Sequence, residues 1–313
     1  MSEHGPTSFS VRAPATAGNI GAGFDCLALT LDLWNEVHIE LGGEGLRVEL
    51  EGRFTERIPA DDTNLIVHTI NRRLNELGVA RPRGLRVRCV NDIPPNSGLG
   101  SSSSVLALGL IAADTIAGRA FTAEGLMQRV AHVEGHADNA AGVAFGGLVL
   151  VVGEDEEHIW RRYEVPELSM VVVTPPAHYS TRQARALLPQ AVPLADAVFN
   201  MSRLPLVIEA LRNGDLDLLR VAADDRLHQR YRLALTPGAE EALSAATEVG
   251  AIGAVVSGSG PSLLAFVHDE QGAERVGEAM LEEFHVAGVQ ADVRVLTTSN
   301  AAAGVTAREP AVD

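Results

Sequence analysis

Residues 94–104 read Pro-Pro-Asn-Ser-Gly-Leu-Gly-Ser-Ser-Ser-Ser and run straight into the apolar stretch Val105-Leu-Ala-Leu-Gly-Leu-Ile-Ala-Ala. A glycine- and serine-rich turn that opens a long helix points backbone N–H groups and hydroxyls outward, together with the positive end of the helix dipole. That arrangement suits a phosphate. The spacing predicts a helix from Ser101 or Ser102 to Ala117. A serine N-cap, an apolar face of Val105, Leu106, Leu108, Ile111, Ala112 and Ile116, and a stop at Gly118 all fit it. The usual phosphate-loop lysine is excluded, because all 25 basic residues are arginine. Gly-x-x-x-x-Gly-Lys-Ser/Thr and any Schiff-base lysine are excluded with it.

The motif is framed by regular elements. Leu46–Glu51 and Leu85–Val90 alternate as half-buried strands, and Asn64–Gly78 carries helical spacing. Phe145–Val152 reads as a buried strand, and the solvated turn Gly153-Glu-Asp-Glu-Glu after it marks a domain boundary. The second half predicts a strand at Ser169–Thr174, helices at Leu194–Leu211 and Gly238–Glu248, and strands on both sides of Ser257-Gly-Ser-Gly-Pro261. A helix at Gly272–His285 and a strand at Ala291–Leu296 follow. The Ala-rich end from about Asn300 to Asp313 reads as a disordered tail. Mixed strands and helices of this order indicate an α+β fold in two domains, 1–155 and 156–313.

A chain of 313 residues exceeds what one core usually fills, roughly 250 to 300 residues. A formal charge of −16 and an aromatic content of only 4% argue against nucleic acid as a partner. Cys26 and Cys89 are too few for a disulfide framework and read as small buried hydrophobes. The opening residues lack a basic segment followed by an apolar run, and no stretch approaches the roughly 20 apolar residues of a membrane span. A cytoplasmic protein without membrane partners is expected.

Two more glycine-rich segments accompany the first: Pro14-Ala-Thr-Ala-Gly-Asn-Ile-Gly-Ala-Gly-Phe-Asp25 and Ser257–Ser262. In the former, Asn19 and Asp25 sit where backbone can approach a small polar ligand, with Asp25 facing an ammonium or hydroxyl; capping of a following helix is the competing role for Asp25. Glu134-Gly-His-Ala-Asp-Asn139 packs two carboxylates, an imidazole and an amide together. Its spacing is poor for zinc, whereas Glu134 with a serine hydroxyl offers the oxygen ligands Mg²⁺ prefers; a polar helix end facing solvent is the alternative. Without lysine, the cations that balance phosphoryl charge must be Mg²⁺ and arginine, for which Thr181-Arg-Gln-Ala-Arg185 and His228-Gln-Arg-Tyr-Arg232 are candidates.

As an ordered set these segments resemble the GHMP small-molecule kinases, and within them most closely the homoserine kinases. The likeness rests on the 94–104 loop, Asn19–Asp25, Glu134–Asn139, Thr181–Arg185, Leu194-Ala-Asp-Ala-Val-Phe-Asn200, His228–Arg232 and Ser257–Pro261. It implies a nucleotide-binding N-terminal domain, a ferredoxin-like C-terminal domain and ATP-dependent phosphorylation of the L-homoserine hydroxyl, a step toward threonine. By position it implies that Ser102 and Glu134 hold Mg²⁺. ATP falls to Pro94, Pro95, Asn96, Ser97, Gly98, Leu99, Gly100, Ser101, Ser102, Ser103 and Ser104, with Asn64 near the purine. Asn19, Asp25, His136, Arg185 and Arg232 form the amino-acid pocket. Thr181 meets the γ-phosphate, and a homodimer is implied.

Asn139 stands where mevalonate kinase relatives carry a base-like Asp, and an amide takes no proton at neutral pH. Asn139, Thr181 and Arg185 are therefore expected to work by positioning and electrostatics, with the hydroxyl proton passing to phosphate. Three positions depart from the pattern. Ser103 and Ser104 replace a more usual Ala-Ala and are expected to bond back to their own helix. Arg230 stands where Pro is common.

Overall fold

The computed structural model describes residues 7–154, 157–176 and 179–309. In chain order its elements are β1 (Ser8–Gly18), β2 (Leu27–Leu41), β3 (Gly45–Gly52), α1 (Leu65–Glu76), β4 (Gly84–Asn91), α2 (Ser101–Ile116), α3 (Ala123–Glu134) and α4 (Asp138–Phe145). They continue with β5 (Leu148–Glu154), β6 (Glu157–Tyr163), β7 (Ser169–Thr174), α5 (Thr181–Ala186), α6 (Leu194–Asn213), α7 (Leu216–Ala222), α8 (Gln229–Leu233) and α9 (Ala239–Glu248). The last are β8 (Gly253–Val256), β9 (Leu263–Val267), α10 (Glu270–Val286), β10 (Asp292–Thr297) and β11 (Gly304–Glu309).

Two sheets carry the fold. The first has the order β11-β1-β2-β4-β3, with β5 and β6 added beside the start of β2; the second has the order β10-β7-β9-β8. Every pair in the second sheet is antiparallel. With α10 between β9 and β10, it is the ferredoxin-like arrangement. The sequence explains its burial on both faces. Met170, Val172, Leu264 and Phe266 face a core shared with the first sheet, α6 and α7. The residues between them, Val171, Val173, Leu263, Ala265 and Val267, face a separate core under α9 and α10. Alternate residues of a strand point to opposite faces, so strands that are apolar throughout need cover on both. Helices α1 to α4 cover the first sheet through a third core. Within it α2 is buried on nearly every side, as its almost uninterrupted apolar sequence requires.

Three expectations are corrected. Residues 300–309 are not a disordered tail: Gly304–Glu309 pairs with β1, because an exposed row of backbone groups along β1 takes a partner strand and Ala303 fills the core beside it. Residues 310–313 lie outside the described residues. The first sheet also continues past residue 155 into β6, which hydrogen-bonds along β5. Of the turn expected at 153–157, Gly153, Glu154 and Glu157 belong to the paired strands, and residues 155–156 lie outside the described residues. Finally, α2 is not capped by serine. Its N-cap is Gly100, left-handed at φ 67°, with no side-chain cap. Among the described residues no helix is long and apolar enough to cross a membrane.

The sheets meet where the three glycine segments dock. Gly258 N donates to Gly18 O at 2.9 Å, Ser262 N to Ser97 O at 3.0 Å and Thr16 N to Leu99 O at 3.1 Å. Asn19 Nδ2 donates to Gly258 O at 2.7 Å and Ser257 Oγ to Gly98 O at 2.8 Å. Gly98 has φ 83°, and a Cβ there would occupy the space of the Ser257 and Gly260 carbonyl oxygens. Gly98→Ala is therefore expected to lower unfolding free energy in urea by about 2 to 3 kcal/mol. Gly78→Ala, with a similar φ of 68° but open space around it, should cost only about 1 kcal/mol.

Candidate active site

The docked loops wall an open cleft. Its lining joins Asn19 and Asp25 from the first loop, Asn96 to Gly98 and Gly100 to Ser103 from the second, and Gly258 and Ser259 from the third. The α3–α4 junction adds Glu134, His136, Asp138 and Asn139; the second half adds Tyr179, Thr181, Arg185 and Arg232. A more apolar pocket opens beside it, lined among others by Ile58, Pro59, Asn64, Ile66, Ile93 and Pro95. Asn96, Ser101 and Ser102 line both. Leu99, Pro94 and Ser104 line neither. Leu99 is buried in the core and the Ser104 hydroxyl donates to Ala13 O at 3.1 Å.

The start of α2 faces this cleft without a side-chain acceptor for its first-turn N–H groups. Those donors and the helix dipole are free for an anion. Gly135, left-handed at φ 75°, ends α3 and turns the chain so that Glu134 reaches the same place. The Ser103 hydroxyl donates to Glu134 Oε2. This corrects the expectation that the two extra serines bond back to their own helix: both reach across to neighbouring elements. Burial pushes the Glu134 carboxyl above the ordinary range, against opposing pulls from Ser103, His136 and Ser102. The oxygens of Glu134, Ser102 and Ser103 beside an open helix start are hard donors of the kind Mg²⁺ takes. Asn64 shapes the neighbouring pocket with both ends of its amide engaged, accepting from Ile66 N at 3.0 Å and donating to Pro59 O at 2.9 Å.

Across the cleft the charges are paired differently. Arg185 grips Asp25 with two parallel hydrogen bonds of 2.7 and 2.6 Å. Asp25 caps no helix, since the chain passes from it into β2. Arg232 is only 2% exposed and forms no ion pair with a carboxylate among the described residues. Its Nε has no hydrogen-bond partner. Asn19 lines the cleft while tying it together, its Oδ1 accepting from Asp25 N at 2.9 Å. Thr181 Oγ1 lies 3.2 Å from Ser259 Oγ. Arg230, by contrast, turns away to Asp196 at 3.0 Å.

Asp138, Tyr179, Ser259 and Ser103 line the cleft without having been singled out for the substrate side. Asp138 stood in plain view in Glu134–Asn139, but nothing in the sequence told that its carboxylate is buried and bound by His136 Nδ1 at 2.8 Å. Burial disfavours both charges, yet this bond and the mutual attraction hold Asp138 below and His136 above their ordinary ranges. A carboxylate so stabilised is a weak base. Asn139 Oδ1 accepts from the Thr16 hydroxyl at 2.8 Å, which leaves its Nδ2 to donate into the cleft.

Residues 64–147 match the family described as GHMP kinases N terminal domain, and residues 207–286 the one described as GHMP kinases C terminal. A homoserine kinase of Desulfitobacterium hafniense is 37% identical over 94% of this chain and 99% of its own length. One of Moorella thermoacetica is 38% identical over 93% and 97%. The crystal structure of homoserine kinase from Cytophaga hutchinsonii superposes with a TM-score of 0.82 at 29% identity, covering 96% of this chain and 98% of that one. A mevalonate kinase from L. major, at 17% identity and TM-score 0.70, shares the fold. The chain belongs to the GHMP kinases and, within them, to the homoserine kinase family.

Proposed function

We propose that this chain transfers the γ-phosphoryl group of ATP to the side-chain hydroxyl of L-homoserine, giving O-phospho-L-homoserine and ADP. The observation that carries the reading is a single cleft with an uncapped helix start and Glu134 at one end and Asp25, Arg185 and Arg232 at the other. The first end is built for a phosphate chain, with the apolar pocket alongside for the base. The second matches an amino acid: Asp25 answers an ammonium, and Arg185 and Arg232 a carboxylate. A zwitterion can take the place of the Asp25–Arg185 contact by satisfying each partner in turn.

Ser102 and Glu134 would hold Mg²⁺ there, with the Ser103 hydroxyl orienting Glu134. Bound in this place, the ion neutralises charge on the phosphate oxygens. Backbone of the 97–101 segment and the first turn of α2 hold the phosphates in line with the acceptor. Thr181, whose hydroxyl lies 3.2 Å from that of Ser259 on the cleft wall, would meet the γ-phosphate, and Arg185 would steady that group while fixing the substrate. Asn139 can form hydrogen bonds but takes up no proton at neutral pH, so the hydroxyl proton goes to an oxygen of the transferred phosphoryl group. A cytoplasmic homodimer completes the reading, on the strength of the family likeness.

ADP release with Mg-ATP should depend on L-homoserine and stay at the acceptor-free rate with mevalonate or galactose. Turnover indifferent to homoserine would sink the proposal. Asn139→Ala should lower kcat only about 10- to 50-fold and leave the acid limb of the pH profile in place. A loss of 10⁴-fold or so with that limb abolished would identify a true base. The raised pKa of Glu134 fixes the sign of the pH dependence. As pH falls, its carboxylate is neutralised earlier than that of an exposed Glu, so kcat/KM should decline from the acid side at a pH above the ordinary glutamate range. Glu134→Gln should remove that limb, cut kcat by about 10²-fold or more and raise the Mg²⁺ concentration needed.

A further inference from the structure

Of the motif His228-Gln-Arg-Tyr-Arg232, only Arg232 lines the cleft. His228 is fully buried behind it. Its Nε2 lies 2.8 Å from the Gly21 carbonyl oxygen and must carry the proton, since a carbonyl only accepts. Nδ1 is then a bare acceptor, and Arg232 Nη1 donates to it at 3.1 Å and to Gly258 O at 2.7 Å. Burial holds the ring's pKa down at about 4, so the imidazole is neutral and compatible with the guanidinium beside it. The Phe24 ring stacks on His228 at 5.3 Å and also underlies the Arg232 and Arg185 guanidinium groups at 5.2 and 6.0 Å. One imidazole therefore touches both halves of the amino-acid site, the Gly21–Asp25 turn and Arg232.

What fixes the imidazole is equally specific. Asp225 Oδ1 accepts from Asn200 Nδ2 at 2.7 Å and Leu227 N at 3.0 Å; its Oδ2 accepts from His228 N at 2.9 Å and Gln229 N at 2.7 Å. Asn200 Oδ1 in turn accepts from Arg226 N at 2.9 Å. Gln229 Oε1 takes Val256 N at 2.7 Å, joining α8 to the strand that leads into the Gly258 loop. Thus Asn200, the last residue of the α6 motif, holds a loop whose only contribution to the cleft is Arg232. A guanidinium with no carboxylate partner among the described residues depends on its neutral acceptors for its orientation.

We infer that His228, seated by Asp225 and Asn200, is a positioning residue that sets Arg232 and the Gly21–Asp25 turn at the separation one amino acid can bridge. The inference deepens the homoserine reading above and rests on it. The test compares His228→Ala, His228→Asn and His228→Gln by steady-state kinetics and thermal unfolding. Asn keeps an acceptor near the place of Nδ1, and Gln keeps a donor near that of Nε2. His228→Ala should raise the KM for homoserine about 10- to 100-fold, with the two isosteres intermediate. The KM for ATP should stay within about twofold in all three. A purely structural role would instead lower the unfolding midpoint and the active fraction while leaving the homoserine KM of the folded enzyme alone. An unchanged homoserine KM, or homoserine and ATP KM values that rise together, overturns the inference. If His228→Ala does not fold, the Asn and Gln variants decide by the same criterion. Wild-type enzyme idle toward homoserine overturns the substrate reading itself; active wild type with variants of unchanged KM overturns only the role of His228.

Discussion

Everything at the site depends on backbone docked against backbone. Gly18, Ser97 to Leu99 and Gly258 to Ser262 come from three distant parts of the chain, and the backbones approach so closely that Gly98 and Gly258 have no room for a Cβ. The requirement explains why these segments are so rich in glycine. It also couples the two sheets: β1 ends in the first loop, α2 begins after the second, and β8 and β9 flank the third. The cleft is the space this contact leaves on its solvent side, so its two ends are held in register by the same bonds that hold the fold.

A chain without lysine must divide its positive charge unusually. On the proposed reading the phosphate end draws it from Mg²⁺ and from helix N–H groups, which are fixed in direction and carry no side chain to reorganise. Arginine is reserved for the other end, where a planar fork discriminates a carboxylate from a spherical anion. The two arginines there are in different states. Arg185 is half exposed and answered by Asp25, whereas Arg232 is buried and answered only by neutral oxygen and nitrogen acceptors. One can exchange partners readily; the other is preorganised.

The sequence carried the identity of the site better than its geometry. Loop 94–104 stands out in the sequence as glycines and hydroxyls at a helix start, and Glu134, His136 and Asn139 as polar residues crowding an otherwise apolar stretch; the structure brings them to one cleft. Serine at the head of α2 misled for a reason rooted in the same chemistry. A serine run normally supplies its own cap, but Gly100 takes the left-handed turn and Ser103 and Ser104 are drawn to Glu134 and Ala13 by tertiary contacts. The tail misled because six residues with one valine carry little strand signal, and the partner that makes them a strand lies nearly 300 residues away. Asp225 has no local signature, and His228 stands in the sequence only as the first residue of a segment read for its arginines, since the value of both lies in which hydrogen bonds they complete after folding.

The return of β11 to the edge of β1 also orders events during synthesis. During synthesis β1 keeps one side open until Gly304–Glu309 follow it, after the whole ferredoxin-like half has been made. The halves of this enzyme therefore cannot be finished one after the other as beads on a string. Its amino-terminal sheet is completed last, and a ribosome that stalls short of residue 304 releases a chain with an exposed, pairing-competent strand edge.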